Sequence, residues 1–218
     1  VGDDTLFVKP LTDASETLGS NVSRLIKALH NRSRKVRADA IAVLGVIGPE
    51  AAEVVPALTE ALKDESLWVR VNATEALGAI GPNAVDAVPA LAEAMRDECH
   101  KVEVNAAKAL GAMGSGAVAA IPALTEALRG RSLWVRVNAV KALREIGPHR
   151  AAIPGLIEAL GDESREVQVT AIQALRVIGA DAVPALLMAL ESPDSEVRVS
   201  AAKVLRLIEP FVVLLDEI

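Results

Sequence analysis

The stretch VVPALTEALKDESLWVRVNATEALGAIGP, Val54–Pro82, carries two apolar patterns of helical period separated by a polar break. Val55, Leu58, Ala61 and Leu62 recur at helical spacing, Lys63-Asp64-Glu65-Ser66 interrupts them, and Val69, Ala73, Ala76, Leu77 and Ile80 resume the pattern. Such a unit reads as two antiparallel helices joined by a short turn. Gly81-Pro82 stops the second helix, since glycine takes a left-handed terminal conformation and proline is suited to the lead-in of the next helix.

The unit recurs along the chain. Val36-Arg37 aligns with Val69-Arg70, Val102-Glu103, Val135-Arg136, Val167-Gln168 and Val197-Arg198, at steps of 33, 33, 33, 32 and 30 residues. Gly48, Gly81, Gly114, Gly147 and Gly179 each follow their valine by 12 residues, and Pro56, Pro89, Pro122, Pro154 and Pro184 each precede theirs by 13. Only the interval from glycine to the next proline varies, through 8, 8, 8, 7 and 5. Constant internal spacing with a variable joint predicts stacked supersecondary units that each cover their neighbour. Ala73, Ala106, Ala139, Ala171 and Ala201 share one position, where a small residue lets neighbouring helices approach. The architecture predicted is all-α, with a long surface in place of a deep pocket.

Composition narrows the classes further. The chain has 218 residues, is 51% hydrophobic and only 2% aromatic, and contains no tyrosine, a profile that fits closely packed helices. Its apolar runs, such as Phe211 to Leu215, fall well short of the roughly 18 residues that span a bilayer, so a membrane-spanning role is not expected. A single cysteine, Cys99, excludes an intramolecular disulfide framework and fits a reducing compartment, the cytoplasm. The chain opens at Val1 without a methionine or a basic-then-apolar leader, which reads as processing, trimming or membership of something longer.

Proline, an aspartate 8 residues on, and valine and arginine at 13 and 14 form the pattern of HEAT repeats, and Pro56, Asp64, Val69 and Arg70 reproduce it. With Ala-Leu-Gly-x-Ile-Gly-Pro following the Val-Arg, the units most resemble the short bacterial HEAT repeats also found in phycobilin lyases. The resemblance implies a right-handed α-solenoid of about six stacked two-helix repeats, over residues 21–210. It also implies a ladder in which aspartate and arginine pair from repeat to repeat. Here Glu103 replaces the arginine of the third unit, Gly130 the aspartate of the fourth and Gln168 the arginine of the fifth, so uneven curvature is expected around repeats three to five.

The ends depart from the repeat. Phe211, Leu214, Leu215 and Ile218 fall at i, i+3, i+4 and i+7, one apolar stripe that predicts a capping helix over 211–218. Residues 1–20 lack the repeat pattern, contain Pro10, and place Asp13 three residues before Glu16, which reads as a cap or a linker. The first repeat has Ser23 where proline is expected and a basic turn, Asn31-Arg32-Ser33-Arg34-Lys35.

Catalytic chemistry finds little support. His30, His100 and His149 lie in separate repeats, and none has the i, i+4 partner of a helical zinc site. Cys99-His100, beside Asp97 and Glu98, is the one adjacent reactive pair and reads as a solvated turn. No nucleophile elbow or glycine-rich phosphate loop occurs, so no enzyme, metal or cofactor is expected. With 23 Lys and Arg against 29 Asp and Glu, the net charge of −6 speaks against nucleic acid, whose binding needs a basic footprint. The one dense positive cluster, Arg32 to Arg37, reads as an exposed turn.

The second helices carry the candidate site. In HEAT solenoids they line the concave face, and with Val69, Ala73, Ala76 and Ile80 inward, Trp68, Val71, Asn72, Glu75 and Ala79 form the adjacent stripe. Repeat three aligns Lys101, Val104, Asn105 and Lys108 with it, and repeat four Trp134, Val137, Asn138 and Lys141. The only tryptophans, Trp68 and Trp134, share a slot that Lys35, Lys101, Glu166 and Glu196 fill elsewhere. A slot tolerant of both charge and tryptophan is expected to be exposed, and exposed aromatic residues concentrate at binding sites. A tryptophan four residues before an asparagine resembles the arrays of armadillo-repeat importins, which implies amides bonding an extended peptide and indoles receiving its long side chains. The alternative reading has the asparagines bridging neighbouring second helices and the tryptophans covering a groove between repeats.

Repeats two and four match at 18 of 27 positions between 54–80 and 120–146, as a two-repeat duplication would leave them. Thr74 against Val140, Glu75 against Lys141, Gly78 against Arg144 and Ala79 against Glu145 are read as surface divergence. The function expected is a non-enzymatic scaffold holding a protein or extended peptide along the concave face. The alternatives are a subunit of a bilin lyase or similar cofactor-attachment system, and an engineered or reconstructed repeat binder.

Overall fold

The computed structural model describes residues 21–47 and 53–212. Among them the chain is helical and contains no strand. The short first helices are α1 (21–28), α3 (Val55–Ala61), α5 (Val88–Ala94), α7 (Ile121–Ala127), α9 (Ile153–Glu158) and α11 (Val183–Ala189). The longer second helices are α2 (Arg34–Ile47), α4 (Leu67–Ile80), α6 (His100–Ala112), α8 (Leu133–Ile146), α10 (Arg165–Ile178) and α12 (Ser195–Val212). They stack as an α-solenoid of six two-helix units, as the period predicts.

Local chemistry sets the boundaries. Each described first helix after α1 has its proline in the opening turn, where the missing N–H costs nothing. Gly81, Gly114, Gly147 and Gly179 take φ of 63°, 57°, 102° and 69°, a region that a Cβ disfavours, and the second helices stop there. Beyond the glycines lie 3-10 turns that the apolar periodicity does not reveal, Gly81–Ala87, Gly114–Ala120, Arg150–Ala152 and Gly179–Ala182. They absorb the variable length between repeats. Gly179 also divides the apolar stretch Arg165–Ala189 into α10 and α11, so this stretch is not one continuous membrane-length helix.

One core runs the length of the described solenoid. Leu58, Leu91, Leu124, Leu156 and Leu186 from the first helices are buried beside Leu44, Leu77, Leu110, Leu143, Leu175 and Leu205 from the second. Ala73, Ala106, Ala139, Ala171 and Ala201 are all fully buried. The tightest approach between second helices lies elsewhere. A Cβ on Gly45 would stand 3.1 Å from the Ala76 Cα, one on Gly78 3.3 Å from the Ala109 Cα, and one on Gly111 3.2 Å from the Ala142 Cα. The same slot holds Arg144, Arg176 and Arg206 in the later repeats, and contact between second helices thins beyond α8.

The aspartate-arginine ladder has rungs at three junctions. Arg37 Nε lies 2.7 Å from Asp64 Oδ2, Arg70 Nε 2.7 Å from Asp97 Oδ2, and Arg136 Nε 2.7 Å from Asp162 Oδ2. Each arginine also donates to carbonyls of its own turn, Arg37 to Asn31 and Arg32, Arg70 to Asp64 and Glu65, Arg136 to Gly130 and Arg131. Arg37 is therefore a structural link and not part of a free basic cluster. At the two remaining junctions both partners are replaced: Glu103 faces the repeat of Gly130, and Gln168 that of Ser192. Loss in pairs leaves no aspartate or arginine facing an empty rung. Gln168 keeps one function of the lost arginine, donating Nε2 to the Asp162 carbonyl at 2.8 Å.

An outer ladder runs along the first-helix side, through Lys63 with Glu93, Arg96 with Glu126 and Arg129 with Glu158. The expectations for residues 1–20 lie outside the described residues. Of the expected cap over 211–218, positions 211 and 212 continue α12 and the remainder lies outside the described residues.

Candidate functional site

The second helices expose a ridge and the grooves beside it. Trp68 and Trp134, both at the start of their helices, are 61% and 66% exposed, as a slot shared with lysine and glutamate requires. Glu75, Lys101 and Lys108 are exposed and Lys141 is half-buried on the same face. The valines do not join them uniformly. Val71 and Val137 are each 1% exposed and lie beneath the face, a correction to their place in the expected stripe, while Val104 is half-buried. The cause is the second neighbour: a second helix packs against its own first helix and against second helices on both sides. Where that packing thins, the equivalent Val169 and Val199 reach 38% and 66% exposure.

The asparagines look inward. Asn72 Nδ2 donates to the Ala38 carbonyl of the preceding repeat at 3.0 Å, and Asn105 Nδ2 to Glu75 Oε1 at 3.0 Å. Asn138 Nδ2 donates to the Trp134 carbonyl one turn back on its own helix, at 2.7 Å. For Asn72 and Asn105 this is the bridging arrangement between repeats. Of the four differences on the second helices of repeats two and four, the Thr74–Val140 position is fully buried and Gly78 sits in the α4–α6 contact, so these two are not surface drift.

The two tryptophans differ in their surroundings. Lys101 Nζ stands 5.7 Å from the Trp68 ring centroid, within cation-π range, and 3.9 Å from Glu75 Oε1. In repeat five the corresponding slot is Glu166, which pairs with Lys141 at 2.7 Å. Trp134 thus has no lysine of the chain over its ring among the described residues. It lines a groove of about 480 Å³ between α6 and α8, with His100, Lys101, Val104, Lys108, Ser132, Asn138 and Lys141. A second groove, of about 330 Å³, lies between α4 and α6 and is lined by Glu75, Gly78, Asn105 and Lys108.

The turn of repeat three is engaged locally. Cys99 N–H donates to Asp97 Oδ1 at 2.9 Å, and His100 Nδ1 lies 2.6 Å from Glu103 Oε2. Among the described residues no group of three or more His, Cys, Asp or Glu is placed to hold a metal ion.

Two family profiles match the chain. One, described as HEAT repeats, covers residues 22–102 and 153–209, and one described as PBS lyase HEAT-like repeat covers 102–130 and 135–162. No curated protein matches. Among solved structures, an engineered protein is 26% identical over 87% of this chain and 97% of its own, with a TM-score of 0.64. The complex of CpcE and CpcF of phycocyanin lyase from Nostoc sp. PCC7120 is 26% identical over 84% of this chain and 75% of that one, with a TM-score of 0.60. A designed armadillo repeat protein in complex with the peptide (KR)4 is 22% identical over 86% of this chain and 99% of its own, with a TM-score of 0.63, a likeness of fold. The family profile that spans more than half of the sequence and the repeat geometry agree, and the chain belongs to the HEAT-repeat family.

Proposed function

We propose that the chain is a non-enzymatic scaffold that holds another protein or an extended peptide along the face of its second helices. The observation that carries this reading is the exposure of Trp68 and Trp134, at 61% and 66%, on the second-helix face, with Trp134 lining the groove between α6 and α8. Large exposed indoles cost solubility and contribute nothing to a core, whereas desolvating them against a partner is a leading source of binding energy. Both should be quenched by acrylamide in the free protein. Peptides selected by display on the chain should lose about 1 to 4 kcal/mol of affinity when both tryptophans become alanine, with the melting temperature little changed. Selected peptides that bind the double variant undiminished would remove the face from consideration.

A second reading, a subunit of a bilin-attachment system, is favoured by the PBS lyase HEAT-like match over 102–130 and 135–162 and by the likeness to the phycocyanin lyase complex. Mixing the chain with free bilin separates the two. A shift of the bilin absorption band supports the second reading, and an unchanged spectrum at saturating protein counts against it.

A further inference from the structure

We propose that the groove between α6 and α8 takes an acidic extended peptide, with its carboxylates on Lys101, Lys108 and Lys141 and an apolar side chain against the Trp134 indole. The inference rests on the scaffold reading above and names the partner's chemistry.

The charge pattern carries it. The chain has a net charge of −6, yet the residues lining this groove include three lysines and His100 and no acid. Many of the acidic residues, Glu60, Asp64, Glu93, Asp97, Glu158 and Asp162 among them, lie on the first helices and turns, while the second-helix acids Glu75, Glu103 and Glu166 border the groove, already engaged with Lys101, His100 and Lys141. An acidic partner is therefore repelled elsewhere and drawn here, which directs encounter and register. Lys108 makes no ion pair among the described residues. Lys141 pairs with Glu166 where both side chains are about half exposed, at 41% and 51%, and such pairs exchange readily for a ligand carboxylate.

A cationic occupant is disfavoured by the same groups. It would meet the lysines as like charges, and the Trp68 ring already has Lys101 beside it. A single-stranded nucleic acid needs a basic track along its backbone, whereas the basic segment is bounded by Glu75 on one side and Glu166 on the other. Repeat four also lacks a carboxylate of its own at the groove mouth. Asp64, Asp97 and Asp162 accept the backbone N–H two residues on in their repeats, and Gly130 leaves Ser132, which lines the groove, without that acceptor.

The test titrates the full chain with fluorescein-labelled peptides of repeated Glu-Leu-Ser and repeated Lys-Leu-Ser, and with oligothymidine, by anisotropy at low and moderate salt. The acidic peptide should bind, more weakly as salt rises. Lys108→Glu should lower its affinity by about tenfold or more and Lys108→Gln by less, with circular dichroism unchanged. Lys63→Glu, the same charge change on the first-helix side, should leave affinity within about twofold. Equal losses from Lys63→Glu and Lys108→Glu would reduce the effect to net charge and overturn the inference. Binding of the basic peptide at least as tightly overturns it while leaving the scaffold reading in place. Failure of both peptides to bind counts against both, and tighter binding of oligothymidine replaces the peptide with nucleic acid.

Discussion

Asn72 and Asn105 occupy the slot that an importin-like array would turn toward a peptide, and the structure turns both amides toward the preceding repeat. Their replacement by alanine should therefore reach stability before it reaches binding. Denaturant unfolding should show a loss of about 1 kcal/mol for Asn72→Ala or Asn105→Ala and less for Asn138→Ala, whose bond stays within its own helix. Asp64 gives a second prediction at this scale. Burial raises its pKa, but hydrogen bonds from Arg37 and the Ser66 N–H, with the charges of Arg37 and Arg70, outweigh burial and hold the carboxyl below its ordinary value. Because the folded pKa is the lower one, this contribution is present above about pH 4 and is lost as the pH falls through the folded pKa. Glu158, held down first by its hydrogen bond from Arg129 against burial, acts in the same direction. Melting temperature should fall on acidification below about pH 4, with a shallower slope in Asp64→Asn.

Between elements, the empty rung of repeats three and four offers a direct trial of the ladder. Gly130 has a negative φ, and its N–H donates to the Ala127 carbonyl as those of Asp64 and Asp97 donate in their turns, so the backbone admits an aspartate once the turn eases its Cβ away from the Ala127 carbonyl oxygen, which would stand 3.0 Å from it. Glu103→Arg with Gly130→Asp should install the rung, and a double-mutant cycle should give a favourable coupling of about 0.5 to 3 kcal/mol; independent effects would show that the rung needs more than its two residues. Gly45 lies on the α2–α4 contact, where an added methyl would meet the Ala76 Cβ at 3.0 Å. Mid-helix Gly→Ala ordinarily gains about 1 kcal/mol, and Gly45→Ala should gain nothing or lose, read as a lower midpoint in urea. The helices, the glycine stops and the opening prolines were legible in the sequence because each rests on local chemistry, the helix pair repeated six times and the glycine and proline five times each. The burial of Val71 and Val137 was not, since it arises from neighbouring repeats and cannot be read from the face of one helix. The contact of Gly45, Gly78 and Gly111 with Ala76, Ala109 and Ala142 was written in the repeat register, but period analysis of apolar residues passes over glycine. The exposure of the tryptophans was legible from substitution within the chain itself, while the inward turn of the asparagines depended on geometry.

At the scale of the whole molecule, each repeat meets only its neighbours, so the strength of the stack is set junction by junction. The junction of repeats three and four lacks its inner rung but keeps the Gly111–Ala142 approach and the outer Arg96–Glu126 pair. The junction of repeats five and six has neither an aspartate-arginine rung nor a glycine in the close-contact slot, and its second helices touch less than those of the earlier junctions. Held at both ends and stretched, the molecule should behave as a spring with a fuse near its carboxyl end. In an optical trap the first rip should release the sixth repeat, roughly 30 residues or about 100 Å of contour length, while the first five hold tension. A first rip of half the chain would place the weak link at repeats three and four instead. A partner lying across the second helices of repeats five and six would bridge that link, so the force of the first rip would report occupancy of the face without any label on the ligand.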